Sequence, residues 1–443
     1  MPVTVKRLLL PLPLLLALSA CGVTDWFGEA EDPPLPGQRI AILAYERGLR
    51  ADPSIADVPV RLPEPYVNTD WAQPGGSAAH AMYHLSLSAN PRQVWSADVG
   101  EGSGEVAQLL AEPIVVGDTV FTMDARSLVS AFSATSGSRL WQVDLEDENE
   151  DDGFFGGGIA ADGGRIFAAT GFARVFALDQ QSGETLWIHQ APGPIRGAPV
   201  VADGRVFVVT LDNQLLVLNV ETGERLWNHV GVQETAGLLG SASPAVARNT
   251  VIVPYSSGEV LALLTDDGRQ VWSENLSAIR RLDPLADIAQ VRGLPVIDRD
   301  LVLAVSHAGQ MLAVDLRQGV RAWQAEIGGV QMPWAAGDFV YVVTNDGQVV
   351  CLQRRDGRIK WVTPLPRFAD PEEQEEPIRW RGPVLAGDRL IVAGTNGEVI
   401  SVSPYDGKLL GFINLGDGVA VAPVVANNSL YLLTNGGELL ALR

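Results

Sequence analysis

The sequence predicts an all-β fold, an eight-bladed β-propeller of four-stranded antiparallel blades, and three observations carry that prediction. A turn glycine stands four residues ahead of a tryptophan at Gly137/Trp141, Gly183/Trp187, Gly223/Trp227, Gly268/Trp272, Gly319/Trp323 and Gly357/Trp361, and a seventh turn at Gly407 has Gly411 in the tryptophan's place. Short β-branched or alternating runs, punctuated by Asp-Gly, Asp-Asn and Thr-Gly turns, fill the intervals, which is the pattern of antiparallel meanders. The chain ends three strands into a blade, while an unattached outer strand, Gln93-Val94-Trp95-Ser96-Ala97-Asp98-Val99, lies far upstream. Joining these two orphans makes the eighth blade, closes the ring and removes the exposed edges of an open array.

Composition agrees with a large buried core. Of 443 residues, 47% are hydrophobic and 19% charged, with only 2 Cys, which excludes a disordered chain and a disulfide scaffold. Lys and Arg total 32 against 53 Asp and Glu, a formal charge of −21. A general nucleic-acid binder needs the opposite balance, so no nucleic-acid partner is expected.

Taken in order, the first element is an address. Lys6 and Arg7 precede an apolar run over residues 8–18 that Pro11 and Pro13 interrupt, too short and broken to span a bilayer. Residues 1–20 therefore read as a secretory signal peptide. Its end, Leu18-Ser19-Ala20-Cys21, resembles the bacterial lipobox, which implies that Cys21 becomes the acylated N-terminus and anchors the chain to a membrane. Residues 21–90 contain Glu31-Asp32-Pro33-Pro34-Leu35-Pro36-Gly37 and Gln73-Pro74-Gly75-Gly76-Ser77, a proline density that predicts an extended tether. Within it His80 and His84 have the spacing of two metal ligands on a helix, but no third ligand is near, so they read as surface histidines.

Residues 91–443 are the propeller. The clearest blade runs Val200-Val201-Ala202, Arg205-Val206-Phe207-Val208-Val209, Gln214-Leu215-Leu216-Val217-Leu218 and Arg225-Leu226-Trp227, with turns at Asp203-Gly204 and Thr222-Gly223. Trp95, Trp141, Trp187, Trp227, Trp272, Trp323 and Trp361 open the outer strands, where a large flat ring fills the wedge between neighbouring blades. Cys351, in Val349-Val350-Cys351-Leu352, reads as a small core residue.

In such meanders the link from an outer strand to the next blade shares a rim with the loop between the second and third strands. Long links occupy residues 146–156, 230–243, 275–293 and 364–380, so they converge on one rim, where function is expected. Asp147-Glu148-Asn149-Glu150-Asp151-Asp152-Gly153 approaches a calcium loop, but its glycine is one place late and its closing Glu is missing. It reads as a solvated acidic loop with no metal, as does Asp370-Pro371-Glu372-Glu373-Gln374-Glu375-Glu376. In the third link Leu276, Ile279, Leu282, Leu285, Ile288 and Val291 recur every three residues, either to fold back on the propeller or to meet a partner.

The repeat Ala177-Leu178-Asp179-Gln180-Gln181-Ser182-Gly183-Glu184-Thr185-Leu186-Trp187 resembles the tryptophan-docking repeat of pyrroloquinoline-quinone dehydrogenases. That family covers its cofactor with a disulfide between adjacent cysteines, which one unlipidated cysteine does not form. The expectation is therefore no cofactor and no enzyme, with a periplasmic quinoprotein-like dehydrogenase as the alternative. Lipobox, tether and eight-bladed propeller together are similar to the BamB family, propeller lipoproteins of the outer-membrane β-barrel assembly machine. This resemblance implies a scaffold on the periplasmic face of the outer membrane that binds the POTRA domains of BamA and helps unfolded β-barrel clients insert. In the family one link supplies Leu and Arg and the next supplies acidic residues. The corresponding positions here are Leu238, with Leu239 in the arginine's place, and Arg281, Asp283 and Asp287, which form the expected partner patch.

Overall fold

A computed structural model describes residues 48–104, 107–146, 156–232, 242–276 and 291–443. Within the compact unit of residues 50–443 the strands form eight four-stranded antiparallel sheets and one two-stranded hairpin. Blades are numbered here by their innermost strands: Ile114–Val116, Gly157–Asp162, Val200–Ala202, Ala245–Ala247, Val296–Asp298, Trp334–Ala336, Trp380–Ala386 and Val424–Ala426. In blades 1 to 7 the chain steps outward strand by strand. In blade 8 the outermost strand is Gln93–Asp98, paired antiparallel with Glu438–Leu442 so that Trp95 faces Ala441 and Ala97 faces Leu439. Ring closure by the two chain ends is as the sequence predicts.

Burial explains the sequence pattern along each blade. In blade 3 residues 206–209 and 215–218 are buried, because these strands have a neighbouring sheet on each face and so read as continuous apolar runs. The outer strand Arg225–Val230 alternates instead, with Trp227 and His229 half-buried and Leu226 and Asn228 exposed.

Each tryptophan docks on the turn glycine of the following blade. Trp187 lies on Gly223, whose φ is +70° and where an added Cβ would come within 2.5 Å of the indole, so a glycine is required both for the turn and for the approach. Trp187 Nε1 donates to the carbonyl of Val220 at 3.1 Å. The same placement recurs for Trp95 on Gly137, Trp141 on Gly183, Trp227 on Gly268, Trp272 on Gly319, Trp323 on Gly357 and Trp361 on Gly407. Every one of these indoles also donates to a carbonyl of the next blade. Gly411 supplies no such ring at the seam between blades 7 and 8. There the outer strand Leu409–Asn414 is exposed along its whole length, and Leu410, Phe412 and Ile413 line a groove of about 540 Å³ with Leu430.

The expectation of an extended tether through residue 90 fails from residue 50 onward. Asp52 N donates to Ile359 O at 2.7 Å, and Lys360 Nζ donates to Ile55 O at 3.0 Å, holding this segment along the outer strand of blade 6. Residues 68–85 then travel once around the inside of the ring and bond to all eight blades. In chain order, Asn68 Nδ2 donates to Val425 O at 2.7 Å (blade 8) and Trp71 exchanges both backbone bonds with Val115 at 2.8 and 2.9 Å (blade 1). Ala161 N donates to Ala72 O at 2.7 Å (blade 2), and the Gln73 side-chain amide exchanges bonds with the backbone of Val201 at 2.7 and 2.9 Å (blade 3). Val246 N donates to Ala78 O at 2.6 Å and Ile297 N to Ala79 O at 2.9 Å (blades 4 and 5). Trp334 Nε1 donates to Tyr83 O at 2.6 Å (blade 6), and Gly387 N donates to Leu85 O at 2.9 Å (blade 7). Ser86 N donates to Tyr66 O at 2.7 Å and closes the circuit on itself.

The physical reason is backbone accounting. An innermost strand has a paired neighbour only on its outward side, so its inward N–H and C=O groups need partners from elsewhere. Proline and glycine, which argue against regular strand pairing, are what let one segment bend from blade to blade. His80 and His84 are corrected with it: both are buried, His80 Nδ1 donating to Pro295 O at 2.7 Å and His84 Nδ1 donating to Pro63 O at 2.8 Å. Cys351 is a buried free thiol, as expected, and burial pushes its pKa up.

Candidate functional site

The rim that carries the inter-blade links is the candidate site. Hydrogen bonds place links and second-to-third-strand loops together: Leu211 N donates to Pro194 O at 2.7 Å, and Asn435 N donates to Gly418 O at 2.7 Å. The shared rim inferred from meander geometry is therefore present.

The roots of the long links are firmly seated. Leu276 and Val291, at the two ends of the apolar series in the third link, are buried, and Ser306 Oγ donates to Leu276 O at 3.0 Å. Ser243, ending the second link, donates through Oγ to Ala198 O at 2.8 Å. These two links leave from blades 3 and 4 and are adjacent around the ring. Leu238, Arg281, Asp283 and Asp287 lie between those roots and outside the described residues, as do Cys21, the signal segment and the acidic run 147–153.

The fourth link is described throughout and differs from a plain solvated loop. Phe368–Asp370 pairs antiparallel with Glu375–Pro377, and the Asp370 carboxylate caps the turn by accepting from the amides of Glu372 and Glu373 at 3.0 and 3.1 Å. Trp380 Nε1 donates to Pro366 O at 2.8 Å and fixes the hairpin's base, leaving Glu372, Glu373, Glu375 and Glu376 exposed at its tip. The acidic tip is thus a stable projection from the rim rather than a shapeless span.

At the centre of this rim the channel opens, lined by segments leading into the innermost strands of all eight blades. Two adjoining cavities of about 130 and 450 Å³ occupy it, and Trp71, Pro74 and Gly75 of the inner circuit line the deeper one. Trp71 stacks on Trp334 with ring centroids 6.3 Å apart, tying blade 1 to blade 6 across this floor. Arg196, Arg292, Arg379 and Arg381 line the two cavities. Sequence reading missed them, yet a signal was present: Arg196-Gly197, Arg292-Gly293 and Arg381-Gly382 each stand just before or at an innermost strand, followed within two residues by Pro199, Pro295 and Pro383.

With this geometry in place, likeness to known proteins is informative. Residues 125–363 match the family model described as outer membrane protein assembly factor BamB. Outer membrane protein assembly factor BamB of Salmonella typhimurium is 33% identical over 362 residues, covering 80% of this chain and 88% of that protein. Among solved structures, BamB from Moraxella catarrhalis superposes with a TM-score of 0.68 at 20% identity, covering 80% of this chain and 100% of that one. A europium-containing methanol dehydrogenase gives 0.66 at 16% identity, covering 83% of this chain and 89% of that chain, a likeness of fold alone.

Proposed function

The chain belongs to the family of outer membrane protein assembly factor BamB, and from that premise we propose that it is a non-enzymatic scaffold of the outer-membrane β-barrel assembly machine. In this reading Cys21 carries the lipid anchor at the periplasmic face of the outer membrane. The link rim binds the POTRA domains of BamA and so assists insertion of unfolded β-barrel clients. The observation that carries the proposal is the convergence of long links on one rim of a ring whose closed blades hold their roots rigid. Leu238 is the apolar anchor in this proposal, and Arg281, Asp283 and Asp287 supply the charges that steer encounter and fix register. The likeness to quinoprotein-type dehydrogenases is one of fold and supplies no catalytic residue.

The test is binding of the purified BamA periplasmic domains by the parent chain, by Asp283→Lys with Asp287→Lys, and by Glu224→Lys at the opposite rim. The double reversal should weaken binding at least tenfold at low salt, with a smaller loss at moderate salt as screening increases. Glu224→Lys should bind as the parent does. Equal effects from the two rims, or oxidation of alcohols on addition of pyrroloquinoline quinone and calcium, would overturn the scaffold reading.

A further inference from the structure

The channel mouth of this acidic protein is basic. Residues 68–85 bond to every blade, and Trp71, Pro74 and Gly75 among them form the floor of the deeper cavity, while the mouth on the link rim is lined by Arg196, Arg292, Arg379 and Arg381. Among the described residues none of these four guanidinium groups has a carboxylate within ion-pair distance. Arg381 Nε and Arg196 Nε are shielded from solvent and have no hydrogen-bond partner. Burial, together with the positive charge of Arg292 and Arg379, pulls the Arg381 pKa down to about 10. Arg292 is lowered for the same two reasons, burial and then Arg379. Glu112, the one carboxyl lining the deeper cavity, accepts from Gly75 N at 3.1 Å at the floor, pairs with none of the arginines, and has its pKa raised by burial.

Like charges gathered in a half-buried funnel are costly unless an opposite charge joins them, and a guanidinium offers a planar fork matched to oxyanions. Arg381 lines both cavities and keeps a guanidinium N–H without a partner, so its charge is left uncompensated beside them. Several guanidiniums lining one mouth favour a ligand with more than one negative charge, and cavities of about 130 and 450 Å³ favour a small molecule over an extended chain. We propose that the channel mouth is a binding site for a small multiply charged oxyanion, a polycarboxylate or a phosphate, held by Arg292, Arg379 and Arg381 with Arg196 across the opening. Its four arginines are distinct from the residues assigned to the protein partner, although Arg292 and Arg379 stand at the ends of the third and fourth links.

The experiment is calorimetric titration of the full chain at low ionic strength with citrate, inorganic phosphate and acetate. Citrate or phosphate should bind at one site per chain, and acetate at least tenfold more weakly. The tighter of the first two identifies the source as a polycarboxylate or a phosphate. Arg381→Gln and Arg292→Gln should each weaken the tighter ligand at least tenfold, while Arg225→Gln on an outer strand should leave it unchanged. In chloride alone Arg381→Gln should melt at or above the parent temperature, because it removes an unpaired, repelled charge. Absence of one-site binding, binding unaffected by Arg381→Gln and Arg292→Gln, or a lower melting temperature of Arg381→Gln in chloride would each overturn the proposal.

Discussion

The contact between Trp187 and Gly223 couples two blades through a ring face, a hydrogen bond and a backbone turn at once. Gly223→Ala places a methyl group 2.5 Å from the indole at a φ of +70°. It should cost more than about 1 kcal/mol from the backbone alone. Trp361, 7% exposed and donating to Pro404 O at 3.2 Å, should cost about 3–5 kcal/mol when truncated to alanine. Denaturant unfolding of both variants measures these losses, and unchanged midpoints would remove the dock as a source of stability. His80 makes a separate prediction, because burial pulls its pKa from the ordinary 6.5 down to about 4, with the bond to Pro295 O opposing. Above pH 6.5 the imidazole is neutral in both states. Between pH 6.5 and 4 the unfolded chain takes up a proton that the folded chain does not, so stability falls with falling pH by up to about 1.4 kcal/mol per unit. Asparagine tolerates the residue's φ of +58° and keeps a donor for Pro295 O, so His80→Asn should lose less stability than the parent between pH 7 and pH 5. Equal losses would exclude His80 as the group responsible.

At the scale of elements, the inner circuit does for the channel edge what blade-to-blade contacts do for the sheet faces. It satisfies inward backbone groups of the innermost strands, and its bonds are spread over every blade. Removing residues 50–88 while keeping 91–443 should leave ring closure in place but free the amides of Val115, Ala161, Val201, Val246 and Ile297. Those five amides should then exchange hydrogen at least tenfold faster, whereas Phe207, held within its sheet between neighbouring strands, should change little. Protection retained at all five would mean that the circuit contributes nothing to the channel edge. The seam between blades 7 and 8 shows the opposite case: with Gly411 in place of an indole, Phe412 is left 68% exposed beside an open groove.

For the whole molecule, closure is the decisive contact, since Gln93–Asp98 joins the two ends of the chain in one sheet. Deleting residues 91–100 removes Trp95 with its dock on Gly137 and bares the Glu438–Leu442 edge to other chains. The expected result is a melting temperature lowered more than by loss of the Trp361 ring alone, with aggregation on heating. An unchanged melt would show that the ring does not depend on this strand.

The blade count, the strand order, the docking role of the tryptophans, the closing strand and the rim of the links were all legible in the chain, because each depends on local periodicity or on a fixed offset such as Gly223 to Trp227. The path of residues 68–85 was not legible. Asn68, Trp71, Gln73 and Leu85 pair with residues far along the chain, and nothing local to a Pro- and Gly-rich stretch reveals the vacant backbone groups it will meet. The arginine mouth was hidden for the same reason: Arg196, Arg292 and Arg381 stand in different repeats, and nothing local to any one of them points to the others. Sequence by itself determined the repeating unit and the number of units. Only the closed ring decided which residues face one another across its axis, since that juxtaposition exists only once the first and last strands have paired.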